Sequence, residues 1–170
     1  TAFMLMHEAV REVLLAMIEA GDMPVDDWQK RLERSFFDKG LLQHGYVDDF
    51  RDIAQNMLRY FLVSRSGAVV EPVQALTLDF GGEMIVVYPD EILMKDGVRT
   101  LRRVSTGHAR RSESKDVGIA AYLLAAEEAE PVTLVELIYL ADGESKSMSL
   151  KPKELVGRQS KLRDILAGIR

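Results

Sequence analysis

The chain contains no cysteine. That excludes disulfides, thiolate zinc sites, iron–sulfur ligation and a cysteine nucleophile, and it leaves the redox compartment undefined. Histidine is scarce as well: His7, His44 and His108 lie far apart, and none belongs to an HxxxH or HExxH pattern. A lone His on a helix face is more often structural than catalytic. No apolar run approaches the roughly 18–20 residues that a membrane helix needs. Gly81-Gly82 is not followed by the Lys-Ser/Thr of a phosphate loop, and no GxSxG elbow occurs. Acyl transfer, P-loop nucleotide hydrolysis and dinucleotide binding therefore lack their sequence marks. The opening residues, Thr1-Ala2-Phe3-Met4-Leu5-Met6-His7-Glu8, have neither a basic n-region nor a small-residue cleavage site. They begin inside a helical pattern without an initiating Met, which reads as a piece of a longer chain.

What is present is ordinary folded composition. The 170 residues suit one domain, 1–170, with 47% hydrophobic and 29% charged side chains. Lys+Arg is 22 and Asp+Glu is 27, a formal net charge of -5 that hides strong blocks. Residues 1–98 carry -8, and residues 99–115 carry +5 through Arg99, Arg102, Arg103, Arg110, Arg111 and Lys115 against Glu113. Residues 116–145 carry -7 with no basic residue, and 146–170 carry +5. A basic block between acidic ones suits a phosphate-facing patch, because each Lys or Arg near a phosphate releases counterions. Charge alone leaves open two solvated surfaces that are simply basic.

Hydrophobic periodicity predicts the elements. Phe3, Met6, Val10, Val13, Leu14, Met17 and Ile18 recur at helical spacing over 2–20, and Gly21 and Pro24 end that helix. Asp26 and Asp27 start a second helix through Trp28, Leu32, Phe36 and Phe37, stopped near Gly40. A third runs over about 46–65 with Phe50, Ile53, Met57, Leu58, Phe61 and Leu62. Trp28 and the Phe residues at this spacing are read as core. The period then shortens. Residues 69–80 alternate as a strand, Gly81-Gly82 turns them into Met84–Tyr88, and Asp96-Gly97 leads to a third strand over 98–104. A helix over 113–129, an apolar strand over 132–140, a strand over 146–150 and a last helix opened by Pro152 complete the order. A helical portion, 1–67, thus precedes a sheet core with helices, 68–170. Strands, a crossover helix and a further strand imply an α/β (α+β) fold with a mixed sheet.

One constellation is more specific. Strand two runs into Val87-Tyr88-Pro89-Asp90-Glu91-Ile92, strand three gives Leu101-Arg102-Arg103-Val104-Ser105-Thr106-Gly107, Tyr122 lies on the next helix, and His7 lies on the first. Here the sequence resembles the PD-(D/E)XK nuclease-like C-terminal domain of UvrD/RecB-type (UvrD/Rep family) DNA helicases, over nearly its whole length. In that family the first helix opens Gly-x-x-x-His, strand two reads Gly-Arg-Ile-Asp-Arg-Ile, strand three Asp-Tyr-Lys-Thr-Gly, and the next helix Gln-x-x-x-Tyr. The family's His falls on His7, its first Asp on Asp90, its Thr-Gly on Thr106-Gly107 and its Tyr on Tyr122. The resemblance implies a restriction-endonuclease-like αβββαβ core, with extra N-terminal helices and a C-terminal helix.

The departures fall on the chemistry. Arg103 stands at the second metal-binding Asp, Ser105 at the catalytic Lys, Gly118 at the helix Gln and Phe3 at the opening Gly. Phosphodiester hydrolysis of this kind needs carboxylates to hold Mg or Mn, and a Lys to stabilise developing charge. A guanidinium cannot coordinate a hard cation and repels it. The resemblance therefore implies a vestigial site at His7, Asp90, Arg103, Ser105 and Tyr122, with an Asp90–Arg103 ion pair as one structural substitute for the metal. It holds no catalytic residue, and His7 and Asp90 are its weak metal candidates.

Three functions stay open at this point. The first is a non-catalytic domain of an ATP-dependent, cytoplasmic bacterial-type DNA repair helicase, away from membranes. It binds the DNA backbone without reading sequence, through Arg99, Arg102, Arg103, Arg110, Arg111 and Lys115, or braces the parent's motor domains; ATP belongs to the parent, and this piece needs no cofactor. The second is an active Mg- or Mn-dependent exonuclease that recruits Glu91 or Glu113. The third is a structural or protein-interaction domain whose basic blocks meet acidic surfaces.

Overall fold

The structure is a computed structural model, which describes residues 1–109, 121, 123–125, 134–148 and 152–169. Helices come first: α1 (Ala2–Ala20), α2 (Val25–Asp38), a short 3-10 turn (Leu41–Gln43) and α3 (Val47–Ser64). Seven strands follow among the described residues: β1 (Val69–Glu71), β2 (Leu76–Phe80), β3 (Glu83–Val87), β4 (Glu91–Lys95), β5 (Val98–Ser105), β6 (Leu134–Tyr139) and β7 (Glu144–Met148). Ala121 and Leu123–Ala125 are helical, and α4 (Pro152–Ile169) closes the order. Two compact units divide the chain. The first holds Thr1–Ser66, Ser105–His108 and Tyr139–Glu144; the second holds Gly67–Val104, Ala109–Ile138 and Ser145–Arg170.

In the first unit, α1 packs against both α2 and α3. Thr1 caps α1 by accepting from the Met4 backbone N–H, and Gly21 ends the helix at φ 73, where a side chain would strain the backbone. Asp26 and Asp27 in the first turn of α2, and Asp48 and Asp49 in that of α3, sit at the positive ends of the helix dipoles. The apolar faces bury Met6, Val10, Val13 and Met17 of α1 with Trp28, Leu32 and Phe36 of α2 and Leu58 and Phe61 of α3. Burying side chains of this size contributes roughly 1.5–3 kcal/mol each before entropy is charged against it. Polar ties fix the helix order: Arg51 pairs with Glu33 and Asp48, and Ser35 and Lys39 both donate to Glu12. Buried Arg65 lies over the Phe61 ring and donates to the Met17 carbonyl near the end of α1. The three predicted helices thus form, with most of their predicted core buried, but Phe3, Phe37 and Ile53, expected on those apolar faces, are exposed.

The second unit corrects the expected meander. Residues 69–80 make two strands, because Pro72 has no N–H to continue a ladder. β2 and β3 pair only with each other, in register Phe80↔Glu83 about the Gly81-Gly82 turn. Both glycines have positive φ, 63 and 90, as a tight two-residue hairpin turn requires. The residues after Pro89 add β4, a strand absent from the expected order. β4 pairs with β5 about Asp96-Gly97, again at positive φ, and β1 pairs with the other edge of β4.

The main sheet has the order β1-β4-β5-β6-β7. The Leu140 backbone N–H donates to the Ser105 carbonyl, which sets the C-terminal ends of β5 and β6 side by side, as in parallel strands. The fold is therefore mixed α/β with a mixed five-stranded sheet. The inner face of the β2–β3 hairpin packs Leu78, Ile85 and Val87 on Ala121, Leu124 and Leu162. β7 begins at Glu144, ahead of the predicted 146, because the Asp142-Gly143 turn closes sooner. Most of the predicted helix over 113–129 lies outside the described residues. No helix among the described residues is long and apolar enough to cross a membrane.

Candidate functional site

Strand pairing builds the first feature, in the second unit. Glu91 opens β4 directly opposite Arg102 of β5. Both side chains are fully buried, and Arg102 Nη1 donates to Glu91 Oε1 at 2.8 Å. Arg102 Nε lies 3.7 Å from Glu136 Oε1 on β6, beyond hydrogen-bond range. The charges thus run acid, base, acid across three adjacent strands. Arg102 is one of the largest buried side chains of the chain. Its assignment to phosphate binding is corrected: a guanidinium with no exposed surface, locked to a buried carboxylate, meets no external anion.

Asp90 sits at the turn just before this pair. Its Oδ2 accepts from the Val104 N–H at 2.8 Å, and its own N–H donates to the Arg102 carbonyl at 2.9 Å. The expected Asp90–Arg103 ion pair is replaced by this backbone lock. Arg103 is exposed and makes no ion pair among the described residues. Successive β5 residues face opposite sides, so Arg102 and Arg103 lie on different faces; Arg103 shares the face of buried Leu101 but is itself exposed, towards the end of the strand. Arg99 lies 3.1 Å from Glu71 on β1 and is partly buried. Arg110, Arg111, Glu113, Lys115, Gly118 and Tyr122 lie outside the described residues. Of the predicted basic patch, Arg103 is the member seen open to solvent.

His7 and Ser105 belong to the first unit, Asp90 and Arg103 to the second. In the first unit, α1 presents His7 and Arg11 one turn apart, hence on one face. Arg11 Nη1 donates to Thr106 Oγ1 at 3.1 Å. Ser105 Oγ accepts from the Gly107 N–H, so it closes the loop on itself. His108 Nδ1 and Asp142 Oδ1 are 2.5 Å apart. His7 is edge-on to Phe3 at 4.6 Å, and its buried Nε2 has no hydrogen-bond partner among the described residues. Burial, then Arg11, then His108 lower its pKa below 6.5. An open groove of ≈ 340 Å³ is lined by Val13 and Ala16 of α1 and by Lys30, Arg31 and Arg34 of α2. Glu12 and Asp38 also line it, so its charge is mixed.

Among the described residues no cluster of three or more His, Asp or Glu is arranged to hold a metal ion. The carboxylates nearest the expected cleft are otherwise engaged: Glu91 by Arg102 and Asp90 by the Val104 amide. Sequence reasoning weighed Glu91 only as a recruited ligand and missed it as Arg102's partner. The available signal was a Glu directly before Ile92-Leu93 and an Arg directly after Leu101, each charge bordering apolar residues. Arg11 and its bond to Thr106 were also missed. The i,i+4 spacing from His7 was the clue. No family model, no curated protein and no solved structure matches the chain.

Proposed function

We propose that this chain is a non-catalytic, PD-(D/E)XK nuclease-like domain of a UvrD/RecB-type DNA repair helicase, built on a restriction-endonuclease-like core. In this reading it meets the DNA backbone without reading sequence, or braces the motor domains of a parent that carries the ATP site. The observation that carries it is the buried Glu91–Arg102 pair. Metal-dependent phosphodiester cleavage needs free carboxylates converging on a cation. Here an internal guanidinium neutralises the buried acid of the strand pair, and one oxygen of Asp90 accepts from a backbone amide. The favoured role is therefore binding rather than cutting.

Backbone binding draws on Arg103, exposed on β5, together with Arg110, Arg111 and Lys115 in the adjoining basic stretch. Such contacts position a duplex or single strand without specifying sequence, and they weaken with salt. The test is a gel shift with single-stranded and forked DNA at two salt concentrations. Binding at low salt that falls on raising salt, and falls further when Arg103, Arg110, Arg111 and Lys115 are changed to Gln, is the expected result. No binding at low salt, or no loss in the variant, overturns the reading. Magnesium-dependent cutting that disappears in Asp90→Ala would instead restore the nuclease.

A further inference from the structure

We propose that His7 and Arg11, with the Ser105–His108 loop, form a seat for a phosphate oxyanion. The seat uses none of the basic side chains invoked above and lies wholly within the first unit. It deepens the DNA-binding reading in one arm of its test only, the arm in which the phosphate belongs to a nucleic acid.

Three observations converge. First, the His7 Nε2 is buried and has no hydrogen-bond partner among the described residues. A buried polar atom left unmade carries a desolvation cost, so a ligand able to reach it is favoured. Second, Arg11 uses Nη1 on Thr106 Oγ1 and makes no ion pair among the described residues. A guanidinium has five N–H donors, so the rest of its fork stays open for an anion. Third, the acids around it are already committed. Glu8 faces Lys39 at 3.9 Å, Glu12 accepts from Lys39 and Ser35, and Asp142 is held by His108.

Arg11 and His7 thus stand on one helix face with no ion pair of their own among the described residues, while Asp142 offsets His108. Arg11 and His108 both act electrostatically on His7 and disfavour its protonated form. An oxyanion placed among them reverses that sign. It accepts from Arg11 and from a protonated His7 Nε2, while His108, bonded through Nδ1, keeps Nε2 available on its exposed side. A multiply charged tetrahedral oxyanion can draw on two or three donors, from a helix and a loop that Arg11 and Thr106 tie together. A planar monoanion such as acetate satisfies fewer of them.

The experiment uses the full chain with labelled histidine rings and inorganic phosphate as the probe. Phosphate should shift the His7 ring resonances and raise the His7 pKa, whereas acetate at equal ionic strength should not. Arg11→Gln, at an exposed position, should keep the melting temperature and weaken phosphate about tenfold or more, as loss of a charge-assisted donor predicts. In His7→Leu, phosphate binding read at the His108 ring should weaken while the fold is kept, because Leu refills a half-buried site. No His7 shift with phosphate, or an undiminished shift in Arg11→Gln, overturns the seat.

A labelled single-stranded oligonucleotide separates the sources of phosphate. If Arg11→Gln weakens oligonucleotide binding and lowers its salt slope by about one, the bound group is the nucleic-acid backbone. If inorganic phosphate binding is lost while oligonucleotide binding is unchanged, the seat takes free phosphate, and DNA binding rests on the Arg103 stretch alone. Phosphate binding without any DNA binding would sink the DNA reading and leave the seat standing.

Discussion

At the scale of single residues, the buried ion pair dominates. Glu91 and Arg102 have no exposed side-chain surface, so removing one takes from the other the 2.8 Å ion pair that offsets its buried charge. Breaking such a pair costs on the order of 3–5 kcal/mol, whereas replacing both partners by apolar groups of similar volume is near neutral. Arg102→Met should therefore lower the urea midpoint sharply, and Glu91→Leu/Arg102→Met should recover most of the loss. A double variant no better than the single would show that the pair does not act as a unit. His7 supplies a second residue-scale expectation. Its pKa is below the ordinary 6.5 in the folded chain, chiefly through burial. The unfolded chain then takes up the proton first, so stability is full above about 6.5 and falls as pH drops through the lowered folded value. Urea midpoints measured across that window should show the fall in the parent and a flatter profile in His7→Leu. Glu12 acts with the same sign lower down: Lys39 and Ser35 hold its carboxyl below 4.5, and their stabilisation fades as pH falls through that lowered value.

Turns decide which strands exist at the scale of elements. Asp96-Gly97 joins β4 to β5 with both residues at positive φ, and a Cβ at Gly97 would meet nothing within 4 Å. The penalty for Gly97→Ala is then one of backbone strain alone, about 1–2 kcal/mol. Thermal melting should show that loss, and Gly97→Asn, which tolerates the left-handed region, should recover part of it. Gly81-Gly82 plays the same part in the β2–β3 hairpin. Helix-to-helix ties behave differently. Arg51 links α3 to Glu33 of α2 at a partly exposed site, so Arg51→Met should cost no more than about 1 kcal/mol, less at high salt. A larger loss would mean that its stem packs more than its charge pairs.

At the scale of the whole molecule, the charge blocks and the strand order speak together. The +5 block over 99–115 begins on β5, in the middle of the sheet, and strand alternation sorts its members. Arg103 faces water, and Arg102 faces Glu91. A basic count along the sequence therefore overstates the basic surface. On the proposed DNA-binding reading, the salt dependence of binding should be the same in a fold-preserving Glu91→Leu/Arg102→Met variant as in the parent, because Arg102 reaches no phosphate. A reduced slope in that variant would contradict its burial.

Much of this was legible in the sequence. Helical spacing of Met6, Val10, Val13, Trp28, Leu32, Leu58 and Phe61 fixed three helices and their core, because a 3.6-residue period places those side chains on single faces. Gly-Gly, Asp-Gly and Pro152 marked turns and a helix start through backbone dihedrals that are local properties. Partnership was not legible, because it joins residues far apart in the chain. That Glu91 rather than Asp90 faces the arginine, and that Arg102 rather than Arg103 is the one it faces, follows from the β4–β5 register, where a slip of one residue would exchange the two faces. That Arg11 reaches Thr106 follows from a helix and a loop meeting in space. Composition and local pattern determined the elements of this protein; tertiary pairing decided which of its charges are buried against each other and which are left facing water.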